Sequence, residues 1–128
     1  MRTLQDRVKE DGVVIDEKIL KVDSFLNHQI DAKLMYEVGQ VITEHFKDKK
    51  ITKVLTIEAS GIAPAIMASL HLDVPCLFAK KAKPSTMTSV FYQTDIHSFT
   101  KNKTSEIIIS KEYLNENDKV LIIDDFLA

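Results

Sequence analysis

From Ile51 to Lys81 the chain reads "ITKVLTIEASGIAPAIMASLHLDVPCLFAKK": an almost unbroken apolar strand, a short apolar helix and a second apolar strand. Strands that are hydrophobic at nearly every position and joined through a helix are expected to lie parallel and buried on both faces. This βαβ unit restricts the chain to an α/β fold built on a parallel sheet. A further strand of the same kind, "VLIIDD" at 120–125, is available to it.

The pieces around this unit are less regular. From Asp31, a predicted N-cap, apolar residues recur at Leu34, Met35, Val38, Val41, Ile42 and Phe46, the spacing of a helix with one buried face. Upstream, Leu4 and Val8 stand four apart among charges with Gly12 beyond them, which predicts a short peripheral helix over 3–11. "VVI" and "ILKV" are β-prone. The polar "DSFLNHQI" that follows has neither glycine nor proline, so something other than turn chemistry must order it. Residues 82–105 are a polar excursion, read as a flexible loop followed by an antiparallel hairpin of "SVFYQTDIHSF" with "SEIIIS". "EYLNENDK" then turns the chain into its last strand.

Composition excludes several classes. The 128 residues are 45% hydrophobic and 28% charged, enough for one domain with a real core and a soluble surface. A net charge of −2 gives no general attraction to nucleic acid or to an anionic membrane. The one cysteine, Cys76, excludes an internal disulfide framework and a cysteine-based zinc cluster. No apolar run reaches the roughly 18 residues of a membrane span, and "MRTLQDRVKEDG" lacks a secretion signal's apolar core, so a cytoplasmic protein is expected.

If the strands are parallel, three features share the carboxyl edge of the sheet, where open α/β sheets bind ligands. "EASGIAP" puts Ser60 and Gly61 at a turn opening a helix, where backbone amides and the helix dipole suit a phosphate. The plainer account is a glycine that lets strand turn into helix, with Pro64 in the first turn. Lys80 and Lys81 could stabilise an anion or be a solvated strand end. Asp124 and Asp125 could accept hydrogen bonds from a sugar diol, bind a hard cation such as magnesium, or make an Asx turn. The histidines His28, His45, His71 and His97 have no metal-ligand spacing, and no Gly-x-Ser-x-Gly elbow occurs, so neither a histidine metal centre nor a covalent nucleophile is indicated.

An apolar strand that runs into two acidic residues, "VLIIDDFLA", resembles the phosphoribosyl diphosphate signature of the type I phosphoribosyltransferases. "ILKVDSFLNHQID", "TIEASGIAPAIM", "VPCLFAKK" and "HSFTKN" narrow that resemblance, along the whole of residues 1–128, to the xanthine-salvaging branch of Gram-positive bacteria. It implies a Rossmann-like parallel-sheet core from about residue 31 to 128, a small N-terminal hood from about 1 to 30, and a flexible loop and hairpin, all in one domain. It also implies transfer of a 5-phosphoribosyl group from phosphoribosyl diphosphate to xanthine, giving xanthosine 5'-monophosphate and pyrophosphate, with Mg2+ bound alongside the donor and a homodimer as the assembly. Carried over residue by residue, Leu20 and Asn27 contact the purine, and Asp124 and Asp125 are the catalytic pair facing the ribose hydroxyls. Ala59, Ser60 and Gly61 form the pyrophosphate loop, and Ala128 opens the loop around the 5-phosphate. Lys81 contacts pyrophosphate, with donation across the dimer interface admitted.

The residues suit that chemistry. Displacing pyrophosphate from the anomeric carbon builds opposite charges on sugar and leaving group, which calls for positioning and anion stabilisation. The loop at about 82–95 is then expected to act as a lid. Members of that branch continue past Ala128 with small residues, a helix and more sheet, so the C-terminal part of the fold is expected to be missing here and the 128-residue chain to be inactive or nearly so. A purine-responsive regulator on the same fold is the alternative, and the lack of a helix-turn-helix or basic recognition helix speaks against it.

Overall fold

The computed structural model describes residues 3–15, 19–81, 90–98 and 103–125. Helix α1 (Leu4–Asp11) leads into β1 (Val13–Ile15) and β2 (Ile19–Lys21), and a π-helical turn (Asp23–Asn27) precedes α2 (Ala32–Phe46). Then follow β3 (Lys53–Ile57), α3 (Ile62–Leu72), β4 (Cys76–Ala79), β5 (Phe91–Ser98), β6 (Lys103–Ser110) and β7 (Val120–Ile122). The central sheet has the order β4-β3-β7 and is parallel throughout, with Leu55 opposite both Leu77 and Ile122. The βαβ expectation therefore stands, and the last apolar strand joins it directly.

The predicted helix at Asp31 is present, and its start is chemically defined. The Asp31 side chain accepts from the Leu34 amide at 3.1 Å, satisfying a first-turn donor that otherwise has no partner. Asp31 also accepts from Arg7, whose guanidinium bonds Asp11 at 2.7 Å and lies 4.9 Å from the Phe25 ring centroid. The peripheral helix α1 buries no residue, yet through Arg7 it ties the N-terminal region to the start of α2. "DSFLNHQI" is ordered by packing: Phe25 and Leu26 are buried with Val22, Leu34 and Met35.

A second cluster joins Val54, Ala65, Ala68, Leu121 and Ile123, so α3 covers one face of the sheet. The expectation of strands buried on both faces is corrected here. Burial alternates along β3, and Ile122 on β7 is 72% exposed. The reason is that the alternate side chains of β3 point away from the face α3 covers. Val41, placed on the buried stripe of α2 by its spacing, is also exposed.

Helices α2 and α3 meet at Gly39, where an added Cβ would fall 2.6 Å from the Met67 carbonyl carbon. Backbone cannot yield as a side-chain tip can. The antiparallel hairpin of β5 and β6 forms as expected, with Phe91 opposite Ser110. Of the expected lid, 82–89 lies outside the described residues and 91–95 is part of β5, hence of the hairpin.

Two outcomes follow for stability. Gly39→Ala should destabilise the fold by about 1–3 kcal/mol, as overpacking does, seen in denaturant titration. Asp31→Ala should lower the thermal midpoint at neutral pH. The Leu34 amide and the Arg7 guanidinium hold the Asp31 carboxyl below its usual range, so its contribution is present above the unfolded-state value and disappears as pH falls through the depressed one. Wild type and variant should therefore converge in acid.

Candidate active site

Because β4, β3 and β7 run parallel and side by side, their carboxyl ends open at one edge. After β3 the chain turns through Glu58, Ala59 and Ser60 into α3, whose N-cap is Gly61 and which has no side-chain cap. The Glu58–Ala59 peptide is cis. The Glu58 carboxylate accepts from the Lys81 amide at 2.6 Å, fastening the end of β4 to this turn. Lys80 exchanges backbone hydrogen bonds with Ile108, joining the same edge to the hairpin.

Gly61 is buried against the carboxylate pair. A Cβ on it would lie 2.3 Å from Thr56 Oγ1, 3.0 Å from Asp124 Oδ1 and 3.2 Å from Asp124 Cα. A side chain there would push apart the turn and the end of β7, so the close approach of backbone to carboxylate requires glycine. Asp124 Oδ1 accepts the Asp125 amide at 2.8 Å, so the plainer turn-forming account holds for one oxygen of the pair. Partial desolvation raises the Asp124 pKa above its ordinary value; the Asp125 amide bond and the Lys81 charge oppose the rise, and the Asp125 carboxyl adds to it.

Beside the turn is a cavity of about 430 Å³ bordered by Asn27, His28, Ala59, Ser60, Ile66 and Met67 among others, mostly apolar and of a size for a small aromatic ligand. A second, of about 570 Å³, has Asp124 and Asp125 at its border and shares Leu26 and Met35 with the first. The structure thus brings Asn27 together with Ala59 and Ser60, and Gly61 together with Asp124. It places Leu20 away from the first cavity's lining, packed on the cluster of Val22 and Phe25. Ala128 lies outside the described residues.

Sequence reasoning passed over His28, Ile66 and Thr56. His28 carried no metal spacing and Ile66 looked like helix core. Thr56 was legible: it is a lone hydroxyl in an apolar strand, with the same inward parity as Val54. Among the described residues no helix is long and apolar enough to cross a membrane, and no group of three or more His, Cys, Asp or Glu could hold a metal ion.

Two solved structures share this architecture. The adenine phosphoribosyltransferase of Giardia lamblia, complexed with 9-deazaadenine, superposes with a TM-score of 0.73 at 19% identity over 95% of this chain and 67% of that one. That of Rhodothermus marinus superposes at 0.63 with 20% identity over 90% and 65%. The fold is therefore that of the type I phosphoribosyltransferases, a parallel-sheet α/β class. No family model matches the chain. It is 77% identical over all 128 residues to the xanthine phosphoribosyltransferases of Staphylococcus aureus strains JH9 and Newman, spanning 67% of their length. The chain belongs to the xanthine phosphoribosyltransferase family.

Asp124 sets a test of sign. A carboxyl whose folded pKa is raised favours the native state below its unfolded value, and that contribution is lost as pH rises through the raised value. Asp124→Asn keeps an acceptor for the Asp125 amide and removes the charge. Its thermal midpoint at neutral pH should equal or exceed that of wild type, and the difference should close in acid.

Proposed function

We propose that this chain acts in purine salvage, transferring the 5-phosphoribosyl group of phosphoribosyl diphosphate to xanthine, with release of xanthosine 5'-monophosphate and pyrophosphate. Its family membership supports the reaction, and the observation that carries the reading is the contact of Gly61 with Asp124 at adjoining strand ends. Leaving group and sugar must be gripped within a few ångströms of each other, and here an uncapped helix start and a carboxylate pair lie that close.

In this reading the Ala59, Ser60 and Gly61 turn presents its amides to the pyrophosphate, and Lys81 adds a positive charge to the leaving group. Asp124 and Asp125 accept hydrogen bonds from the ribose hydroxyls, which orients the anomeric carbon and suits the positive charge that develops on the sugar. The mostly apolar cavity at Asn27 holds the purine, with Asn27 able to donate and accept, and the hood around residues 1–30 shields it from water. Leu20 contacts the purine from the hood beside Asn27, and Ala128 begins the 5-phosphate loop. Two adjacent carboxylates are too few for a resident metal site but fit an ion that arrives with the donor's own oxygens. Magnesium bound to the diphosphate would neutralise its charge. The working assembly is a homodimer in the cytoplasm.

The test is calorimetric titration with phosphoribosyl diphosphate and Mg2+, and chromatographic detection of the nucleotide after adding xanthine, on the chain and on one extended to its relatives' length. Donor binding and xanthine-dependent nucleotide formation in the extended protein are expected. Asp124→Asn and Asp125→Asn should each weaken donor binding by about 10- to 100-fold, the value of a hydrogen bond to a charged group. Donor binding without turnover in the extended protein would favour the regulator instead, and absence of both would overturn the reading.

A further inference from the structure

We propose that Thr56 is a positioning residue for the carboxylate pair, its hydroxyl donating to Asp124 when the sugar is bound. Thr56 is 1% exposed, and its Oγ1 has no hydrogen-bond partner among the described residues. Thr43 Oγ1 shares that condition, but on a residue of α2 that is only partly buried. Buried hydroxyls are nearly always paired, so one left single in the middle of a sheet calls for an explanation.

Its surroundings supply one. Thr56 faces α3 from the central strand, one residue before the end of β3, and the point above Gly61 Cα lies against both its Oγ1 and Asp124 Oδ1. Hydroxyl and carboxylate border one gap, which stays open because residue 61 has no side chain. The Asp125 amide already takes one direction on Oδ1. A second donor from beneath would fix the rotation of the carboxylate and leave its outward lone pairs for a diol. Threonine can donate there and the isosteric valine cannot.

The inference rests on reading Asp124 as an acceptor for the sugar hydroxyls, and the experiment separates the two. Thr56→Val, Thr56→Ser and Asp124→Asn are compared in the chain and in one extended to its relatives' length, by thermal melting without ligand, by titration with phosphoribosyl diphosphate and Mg2+, and by steady-state kinetics. Thr56→Val should melt no lower than wild type, since it keeps the shape and removes a buried unpaired hydroxyl. It should nonetheless bind donor about tenfold more weakly. KM for the donor should rise while KM for xanthine stays, and Thr56→Ser should restore both donor values. Should valine not fold, Thr56→Ala takes its place. Wild-type donor binding in Thr56→Val, or equal losses in the valine and serine variants, would overturn the role of the hydroxyl. Unchanged donor binding in Asp124→Asn would instead remove the reading beneath it, whatever Thr56 does.

Discussion

Everything at the candidate site depends on β3 pairing in parallel with both β4 and β7. Each parallel partner sends its carboxyl end to the same edge, so Glu58, Lys81 and Asp124 arrive together although they are far apart in sequence. An antiparallel neighbour would have delivered the opposite end. The pairing is anchored beneath by Val54, Leu121 and Ile123 against the small Ala65 and Ala68 of α3, which let the helix lie close on the sheet. The same economy of side chains brings α2 onto α3 at Gly39.

The edge so formed opposes stability in two places. Asp124 stands half-exposed at the end of β7, where partial desolvation and the Asp125 carboxyl outweigh the Asp125 amide and the Lys81 charge, and Thr56 keeps an unpaired hydroxyl in the core. Both lie against Gly61. Elsewhere the charges are arranged conventionally: Arg7 meets Asp11 and Asp31, the Asp31 carboxyl is held low, and the N-terminal region is tied down. Costly groups gathered at one spot, with well-paired ones around it, mark a place shaped for a ligand rather than for folding alone.

Much of this was legible in the chain. The run from Ile51 to Lys81 announced strand, helix and parallel strand because its apolar residues are too continuous for a surface element. Asp31 announced its helix because an aspartate before a periodic apolar run has a free amide to accept from. The Ser60–Gly61 turn and the Asp124–Asp125 pair could be named as candidates from their positions at strand ends. The one-sided burial of the sheet was not legible, since hydrophobic pattern reports what a strand could bury and not what packs upon it. Nor was the packing of Leu20 on Val22 and Phe25, because a leucine in a β-prone piece does not say which cluster it will meet.

The sequence by itself determined the class of fold and the chemical types available to the site, because periodicity, caps and glycine positions act over a few residues and are written locally. Its 77% identity to known relatives extends that to the family. Only the tertiary structure decided which groups meet. That Gly61 rests on Asp124, that Lys81 is fastened to Glu58, and that Thr56 points its hydroxyl into the gap between them follow from the register of three strands and the seating of one helix. Those are distances between residues remote in sequence, and no local pattern encodes them.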